Sequence, residues 1–129
     1  MNHADKFIQD EFFPFYKRVL EAFKKSHPKL FAVLDLFLSG KKNNIGIRLT
    51  ENEIAVGEYT LYLEGVGLSH IENGVLASEV RTPFGIIRPY TILEKSTLQK
   101  MIYDEPQFVK DPFKTKMKYA DEFTVKFLK

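Results

Sequence analysis

The side chains that could carry catalysis or hold a metal ion are few in this sequence, and they lie far apart. The three histidines are His3, His27 and His70, and no two of them have the His-x-x-x-His spacing of a zinc site. The chain has no cysteine, which excludes disulfides, thiolate zinc sites and cysteine nucleophiles. We therefore expect no metal site, and the sequence predicts no cofactor.

A general base or a nucleophile would have to come from His70, from a serine or from glutamates of the predicted strand "GEYTLYLE". Glu58 and Glu64 lie on the polar side of that strand, where they could act as an acid and a base, although such carboxylates are usually only solvated. No serine lies in a Gly-x-Ser-x-Gly elbow. The stretch "GVG" is followed by a strand, so it lacks the helix N-terminus that binds phosphate. The sequence therefore favours a protein without catalysis.

Charged and aromatic side chains suggest two further surfaces. Lys114, Lys116 and Lys118 alternate along the C-terminal segment and could form a stripe for anionic partners. Lysines also protect edge strands from pairing with other chains. The net charge of only +2 favours this protective role, and we predict no nucleic-acid partner. The phenylalanine-rich N-terminal helices could lie on a membrane surface, but helices that pack on a sheet have the same pattern. We predict core packing.

The chain as a whole predicts one domain, residues 1–129, which is large enough to bury a core. No apolar run approaches the ~18 residues that a membrane-spanning helix needs. The N-terminus, "MNHADKFIQDEFF", is too charged for the apolar core of a secretory signal. Together with the absence of cysteine, these features predict a soluble, cytoplasmic protein.

Helical spacing of apolar residues predicts helices in the first third of the chain. The first stripe is continuous except for Pro14, which predicts either two short helices meeting near Glu11 or a kink there. A second helix begins at Pro28 and ends with Gly40 as its C-cap, and the loop "GKKNN" follows. The first stripe consists of Phe12, Tyr16, Val19, Leu20 and Phe23.

Alternating residues predict strands in the middle third. "TENE" is a turn between the first two strands, and a change of phase in the second predicts a bulge near Gly57 and Glu58. Asn73-Gly74 predicts a hairpin that joins "VGLSHI" to "VLASEVRT". "IIRPYTIL" predicts a further strand. Because Pro89 has no backbone N–H to donate, this strand should lie at an edge of the sheet or contain a bulge.

The last third combines a short helix with further alternation. Ser96 and Gln99 form a capping box at the start of a helix. The end, "FKTKMKYADEFTVKFLK", alternates and predicts a hairpin or one long bent strand. The order of the elements predicts an α+β fold: a curved, mainly antiparallel sheet of about five or more strands, with helices packed on one face.

The stretch "NIGIRLTENEIAVGEYTLYLEGVGLSHIENG", the strands after it and the helix in "EKSTLQKMI" resemble the sterol carrier protein family, the nonspecific lipid-transfer group. The likeness spans about residues 28–110 and lies in element order, in glycine punctuation and in the short helix after the sheet. It implies a five-stranded sheet layered with helices around an apolar tunnel for fatty-acyl or sterol-like ligands. It implies no catalytic residue.

Our leading hypothesis is a small, non-catalytic lipid-binding or carrier domain. Its partner would be an apolar small molecule, fatty-acyl or sterol-like, held between the curved sheet and the helices. The predicted floor of this site is Tyr59, Leu61 and Leu63, and the predicted walls are Phe31, Met101 and Phe108.

Two alternatives belong to other classes of protein. One is a cone-shaped α+β enzyme, isomerase-like or dehydratase-like, in which Glu58, Tyr62 or His70 would point into the cavity and move protons. The other is an interaction subunit that forms a homodimer through an exposed strand edge or through the phenylalanine-rich helices.

Overall fold

The computed structural model describes residues 2–38 and 43–129, which form an α+β fold with an open, mixed, mostly antiparallel sheet. The predicted fold class is confirmed. The helices are α1 (His3–Phe7), α2 (Phe13–Ser26), α3 (Pro28–Leu38), α4 (Lys95–Tyr103), α5 (Glu105–Lys110) and α6 (Pro112–Tyr119). The strands are β1 (Asn43–Glu51), β2 (Ile54–Glu64), β3 (Gly67–Asn73), β4 (Glu79–Thr82), β5 (Gly85–Ile87), β6 (Pro89–Glu94) and β7 (Thr124–Phe127).

Strand β1 is the centre of the sheet. It pairs with one strand along one edge and with two strands along the other. One edge pairs with β2, which pairs in turn with β3, both antiparallel. On the other edge, Asn43 and Asn44 pair with β4, whereas residues 46–50 pair in parallel with β6. Strand β5 pairs with β4 and β7 pairs with β6, so the sheet forks beside β1.

The N-terminal helices follow one another without a break. A π-helical turn, Ile8–Phe12, joins α1 to α2, and the Phe13 N–H donates to the carbonyl of Ile8, five residues back. Pro14 comes at the second residue of α2, where its missing N–H removes no bond within that helix. The irregularity predicted near Glu11 is therefore this wider turn.

Apolar side chains from the N-terminal helical segment pack on one face of the sheet. We call this face, which carries Ile47 and Leu49, the helix side, and the opposite face the outer side. Each large side chain buried there stabilises the fold by about 1.5–3 kcal/mol. The buried cluster is Ala4, Phe7, Ile8, Phe12, Phe15, Ile47, Leu49, Tyr59, Leu61, Leu68, Ile71, Leu93, Leu98, Phe108 and Tyr119.

Tyr59 ties the helices to the sheet through its hydroxyl group. Its ring lies over Gly57, where an added Cβ would overlap the hydroxyl, so only glycine leaves it room. The hydroxyl donates to Asp5 Oδ1 on α1 at 2.7 Å. Burial and this bond raise the pKa of Tyr59, and the side chain therefore remains a neutral donor.

The turn and the bulge predicted around β2 are both present. Asn52 and Glu53 have φ values of 52° and 69°, as a two-residue hairpin turn requires. Leu49 lies opposite Gly57 and Thr50 opposite Ala55, so Val56 is the extra residue of a bulge. The bulge lies one residue before the predicted place.

The predicted capping box of α4 is wrong. The helix begins at Lys95, and its N-cap is Glu94, which makes no side-chain cap bond. The Glu94 carboxylate instead accepts from the Thr50 hydroxyl and from the backbone N–H groups of Asn52 and Glu53. It therefore fastens the β1–β2 turn, and Ser96 lies inside the helix.

The hairpin predicted at Asn73-Gly74 is also wrong, because β3 pairs with β2 and β4 pairs with β1. The stretch after Gly74 crosses the sheet as a loop. The Thr60 hydroxyl, which is fully buried, donates to the carbonyl of Val75 and accepts from the N–H of Ala77. These bonds hold the loop against the outer side of the sheet, along which the chain passes to the far edge of β1.

The C-terminal segment was predicted as strand throughout, and its first half is helix α6. Asp111 caps α6 by accepting from the N–H of Lys114, and Pro112 occupies the first turn. Thr115 and Tyr119, four residues apart, are buried on one side of α6. Lys114, Lys116 and Lys118 are exposed on this helix and protect no strand edge. The predicted C-cap Gly40 lies outside the described residues, and the last two residues of "GKKNN" begin β1.

Candidate functional site

Three of the six predicted ligand-binding residues are buried in the core. Tyr59 and Leu61 lie under the N-terminal helices. Phe108 packs between two rings, with its centroid 5.5 Å from that of Phe15 and 5.9 Å from that of Tyr119. Side chains of the protein itself therefore cover two of the three predicted floor residues and one predicted wall residue.

The other three predicted residues lie at the margins. Leu63 and Met101 are half-buried and pack against the core cluster. Phe31 is not part of that cluster, since it lies on α3 with its ring centroid 6.1 Å from that of Phe23. The structure thus brings five of the six residues to one core and leaves Phe31 apart.

Apolar side chains on the same face continue beyond the core, as the pairing register shows. Residues that lie opposite each other in neighbouring strands share one face of a sheet. Asn43 lies opposite Leu63 in β2 and opposite Val80 in β4, and Val80 lies opposite Ile87 in β5. All four residues are therefore on the helix side, because Leu63 follows Tyr59 and Leu61 on that face.

The β6–β7 branch extends this face in the same way. Ile47 lies opposite Thr91 in β6, and Thr91 lies opposite Val125 in β7, so Val125 and Phe127 are on the helix side. Ile87, Val125 and Phe127 are 41%, 59% and 60% exposed. We call this partly uncovered surface the apolar strip: Ile45, Leu63, Val80, Ile87, Val125 and Phe127.

Helix α3 presents a second exposed apolar surface. Its sequence, "PKLFAVLDLFL", contains only two charged residues, and none of its side chains is buried. A helix that is apolar on all sides is normally covered on all sides. Its exposed large side chains range from 36% to 79% exposed and are Leu30, Val33, Leu34, Leu36 and Phe37.

Helix α3 lies at the end of the sheet where the apolar strip begins. Asp35 accepts a hydrogen bond from the N–H of Val66, in the turn that follows Leu63 and precedes β3. Residues 39–42 join Leu38 to Asn43, and a connection of this length keeps those two residues within about 18 Å of each other. Helix α3 therefore lies near the end of the apolar strip that contains Leu63.

An open groove separates α3 from α2, with a volume of about 520 Å³. Phe31, Ala32 and Leu36 give it an apolar wall. Lys24 stands at its side, with Nζ 5.5 Å from the centroid of the Phe31 ring. The space beside α3 is large enough for part of a hydrocarbon chain.

A second groove, of about 620 Å³, lies between α4 and α6 and is more polar. Asp104 accepts from Lys118 Nζ at 2.8 Å and from the Tyr119 hydroxyl. These bonds lower the pKa of Asp104, and burial together with the Asp104 bond raises the pKa of Tyr119 to about 12. The three groups satisfy one another, so we interpret them as the link that holds α6 to the end of α4.

The acid–base residues of the enzyme alternative lie on the outer side of the sheet. Glu58 is ion-paired with Arg48, with Oε2 and Nη2 2.8 Å apart. The Tyr62 hydroxyl donates to Glu72, and the Tyr62 ring stacks on His70 at 4.3 Å between centroids. None of these side chains faces the space between sheet and helices, where that alternative needs them.

Residues 2–38 and 43–129 contain no group of three or more histidine, aspartate or glutamate side chains placed to hold a metal ion. In the same part of the chain, no helix has the length and apolarity to cross a membrane. In comparisons with protein-family models and with curated protein sequences, the chain matches none of them.

The two ends of the apolar strip are not among the binding residues that the sequence predicts. The alternation of Phe123, Val125 and Phe127 predicted a strand, but it did not show that this strand is uncovered. The stretch "IIRPYTIL" also predicts a strand at Ile87, but it does not show that this side chain is uncovered. The sequence predicts a loop at Asn43, and only the pairing of this residue with Leu63 and Val80 places it on the helix side.

Proposed function

We propose that this protein is a non-catalytic binding protein for an apolar small molecule, fatty-acyl or sterol-like, held between α3 and the apolar strip. The observation that carries the proposal is the apolar strip, a continuation of the core face on which Val125 and Phe127 remain more than half exposed. The space directly over Tyr59 is occupied by the N-terminal helices, so the proposed site is displaced along the sheet from the predicted one.

The physical reason is the apolar area that a ligand would remove from water. Burial of apolar surface contributes about 25 cal/mol for each Å². In the proposed complex, the sheet contacts one side of the hydrocarbon and α3 the other, so the exposed apolar surfaces of both lose their contact with water together. The resemblance to the sterol carrier family agrees with this class of ligand.

Equilibrium binding of pyrene-dodecanoic acid to delipidated protein, followed by fluorescence, tests the proposal. Phe127→Asp places a charge on the apolar strip and should weaken binding at least about tenfold. Thr124→Asp, on the outer side of the same strand, is the matched control and should leave the affinity unchanged. The proposal is wrong if the wild-type protein shows no saturable binding, or if both variants weaken binding equally.

Self-association is a second candidate function, favoured by the side chain of Phe84. This residue is 100% exposed in the turn between β4 and β5, and Ile86, on the outer side of β5, is 45% exposed. A second copy could pair with the open edge of β5 and cover both residues. Sedimentation should then show a dimer that Phe84→Ser dissociates, whereas a monomer at high concentration contradicts this role.

A further inference from the structure

Two buried side-chain atoms in the described part of the chain have no hydrogen-bond partner: Asn43 Nδ2 and Ser78 Oγ. Leaving a buried donor unpaired costs free energy, and such groups are uncommon in folded proteins. An unpaired donor next to an apolar surface is also what a binding site needs to recognise the polar end of an apolar ligand.

The two atoms lie on opposite faces of the sheet. Asn43 is on the helix side, between Leu63 and Val80 of the apolar strip. Ser78 is the last residue of the crossing loop, with Oγ 3.7 Å from the position that a Cβ on Gly46 would take. Gly46 is next to Ile47 in β1 and so faces the outer side. Only the Asn43 amide is therefore placed within the proposed site.

We propose that Asn43 Nδ2 donates a hydrogen bond to the oxygen at the polar end of the bound ligand. This inference rests on the proposed function and narrows its ligand class to compounds whose polar end carries an oxygen acceptor, such as a carboxylic acid, its ester or a sterol hydroxyl group. The NH₂ group only donates, so the ligand must supply an acceptor, and a ligand ending in an ammonium group is excluded. The amide is uncharged and can donate to an ester carbonyl or to a carboxylate.

In this proposal the ligand reaches Asn43 from the side on which α3 lies. The Asn43 side chain is buried in the free protein, so the ligand has to open a path to it. Helix α3 has little packing to lose, because none of its side chains is buried, and its last residue is joined to Asn43 through residues 39–42. The hydrocarbon tail then lies along Val80 and Ile87, which are in neighbouring strands about 4.8 Å apart, and extends towards Phe127 on the β6–β7 branch.

The test compares ligands with and without the oxygen, using pyrene-dodecanoic acid, its methyl ester and dodecylpyrene. The variants are Asn43→Leu, which has nearly the same shape without the donor, and Asn43→Ala, which fits the same space if leucine disturbs the fold. Ser78→Ala is the matched control, since it removes the other unpaired group from the opposite face. Thermal unfolding of the ligand-free variants gives a second readout that is independent of binding.

Wild-type protein should bind the acid and the ester about tenfold more tightly than dodecylpyrene. Asn43→Leu should abolish this preference while unfolding at the same or a higher temperature, because it removes an unpaired buried group. Ser78→Ala should keep the preference. Wild-type protein that binds none of the three probes contradicts the proposed function. The Asn43 inference alone is overturned if both Asn43 variants keep the preference of the wild type for the acid and the ester. It is also overturned if Asn43→Leu unfolds at a lower temperature than the wild type, as expected for a residue with a structural role.

Discussion

The carboxylate of Asp35 accepts a hydrogen bond from the backbone N–H of Val66, with Oδ1 and N 3.2 Å apart, and so ties α3 to the turn between β2 and β3. Gly65, in the same turn, has φ of 60°, and a Cβ there would overlap Oδ1 of Asp35. Glycine at position 65 therefore leaves room in the turn for the Asp35 side chain of α3. This contact fixes the position of α3, on which the proposed site depends.

Removing the Asp35 carboxylate should loosen α3 without unfolding the domain. In Asp35→Ala the Val66 N–H loses its partner, and α3 has no buried side chain to hold it in place. Hydrogen–deuterium exchange in α3 should become faster, while exchange in β1 and β2 stays unchanged. Asp111→Ala, which removes the cap of α6, is the control and should leave exchange in α3 as it was. Equal exchange in α3 for all three proteins would contradict this role of Asp35.

Substituting Gly65 should be costly for two separable reasons. Gly65→Ala places a side chain at a left-handed φ, which costs about 1–2 kcal/mol, and it also pushes against Asp35. Denaturant unfolding measures the total loss. In the Asp35→Ala background the second contribution disappears, so Gly65→Ala should cost less there than in the wild type. Additive effects of the two substitutions would show that the residues do not interact.

The hydroxyl of Tyr59 should contribute to the free energy of unfolding. Tyr59→Phe keeps the ring over Gly57 but removes the bond to Asp5, and we expect a loss of about 1–2 kcal/mol in denaturant unfolding. Tyr62→Phe is the matched control, because the hydroxyl of Tyr62 bonds to exposed Glu72 on the outer side and should contribute less. A larger loss in the control would contradict the assigned role of Tyr59.

Acid should weaken the β1–β2 turn through Glu94. Hydrogen bonds from Thr50, then from the N–H groups of Glu53 and Asn52, lower the pKa of this carboxyl group. A lowered pKa means that the stabilisation is present above the ordinary glutamate pKa, about 4.3, and is lost as the pH falls through the lowered value. Glu94→Gln should therefore be less stable than the wild type near pH 7, and the two proteins should converge in acid.

The measurement for Glu94 is thermal unfolding across a pH series. Glu64→Gln, at an exposed position of β2, is the control and should follow the wild type throughout. A difference between wild type and Glu94→Gln that stays constant down to the lowest pH would mean that ionisation of Glu94 does not matter.

Local signals predicted the parts of the fold that local contacts decide. Asn52 and Glu53 form a tight turn from neighbouring residues, and the bulge at Val56 follows from a change of phase within one strand. The stretch after Asn73-Gly74 was misassigned because Thr60, 17 residues before Ala77, holds it as a loop. A hydrogen bond between residues this far apart in the sequence cannot be predicted from a local pattern.

The C-terminal error has a different origin. Alternation in residues 113–119 fits a strand, but the same residues place Thr115 and Tyr119 four apart, as a helix needs. Asp111 and Pro112 supplied the start signal of that helix, and alternation was preferred over it. The candidate site could not be predicted from the sequence for another reason. Which apolar side chains remain uncovered depends on where the helices pack.

The central claim is that an apolar ligand lies on the helix side of the sheet, and methyl NMR at two neighbouring isoleucines tests it most directly. Ile87 faces the helix side and Ile86 the outer side of the same strand. Adding pyrene-dodecanoic acid to delipidated protein should shift the Ile87 and Val125 methyl signals saturably, with one ligand bound per chain, and leave the Ile86 signals in place. Shifts confined to Ile86, or no saturable shift at any ligand concentration, would contradict the account.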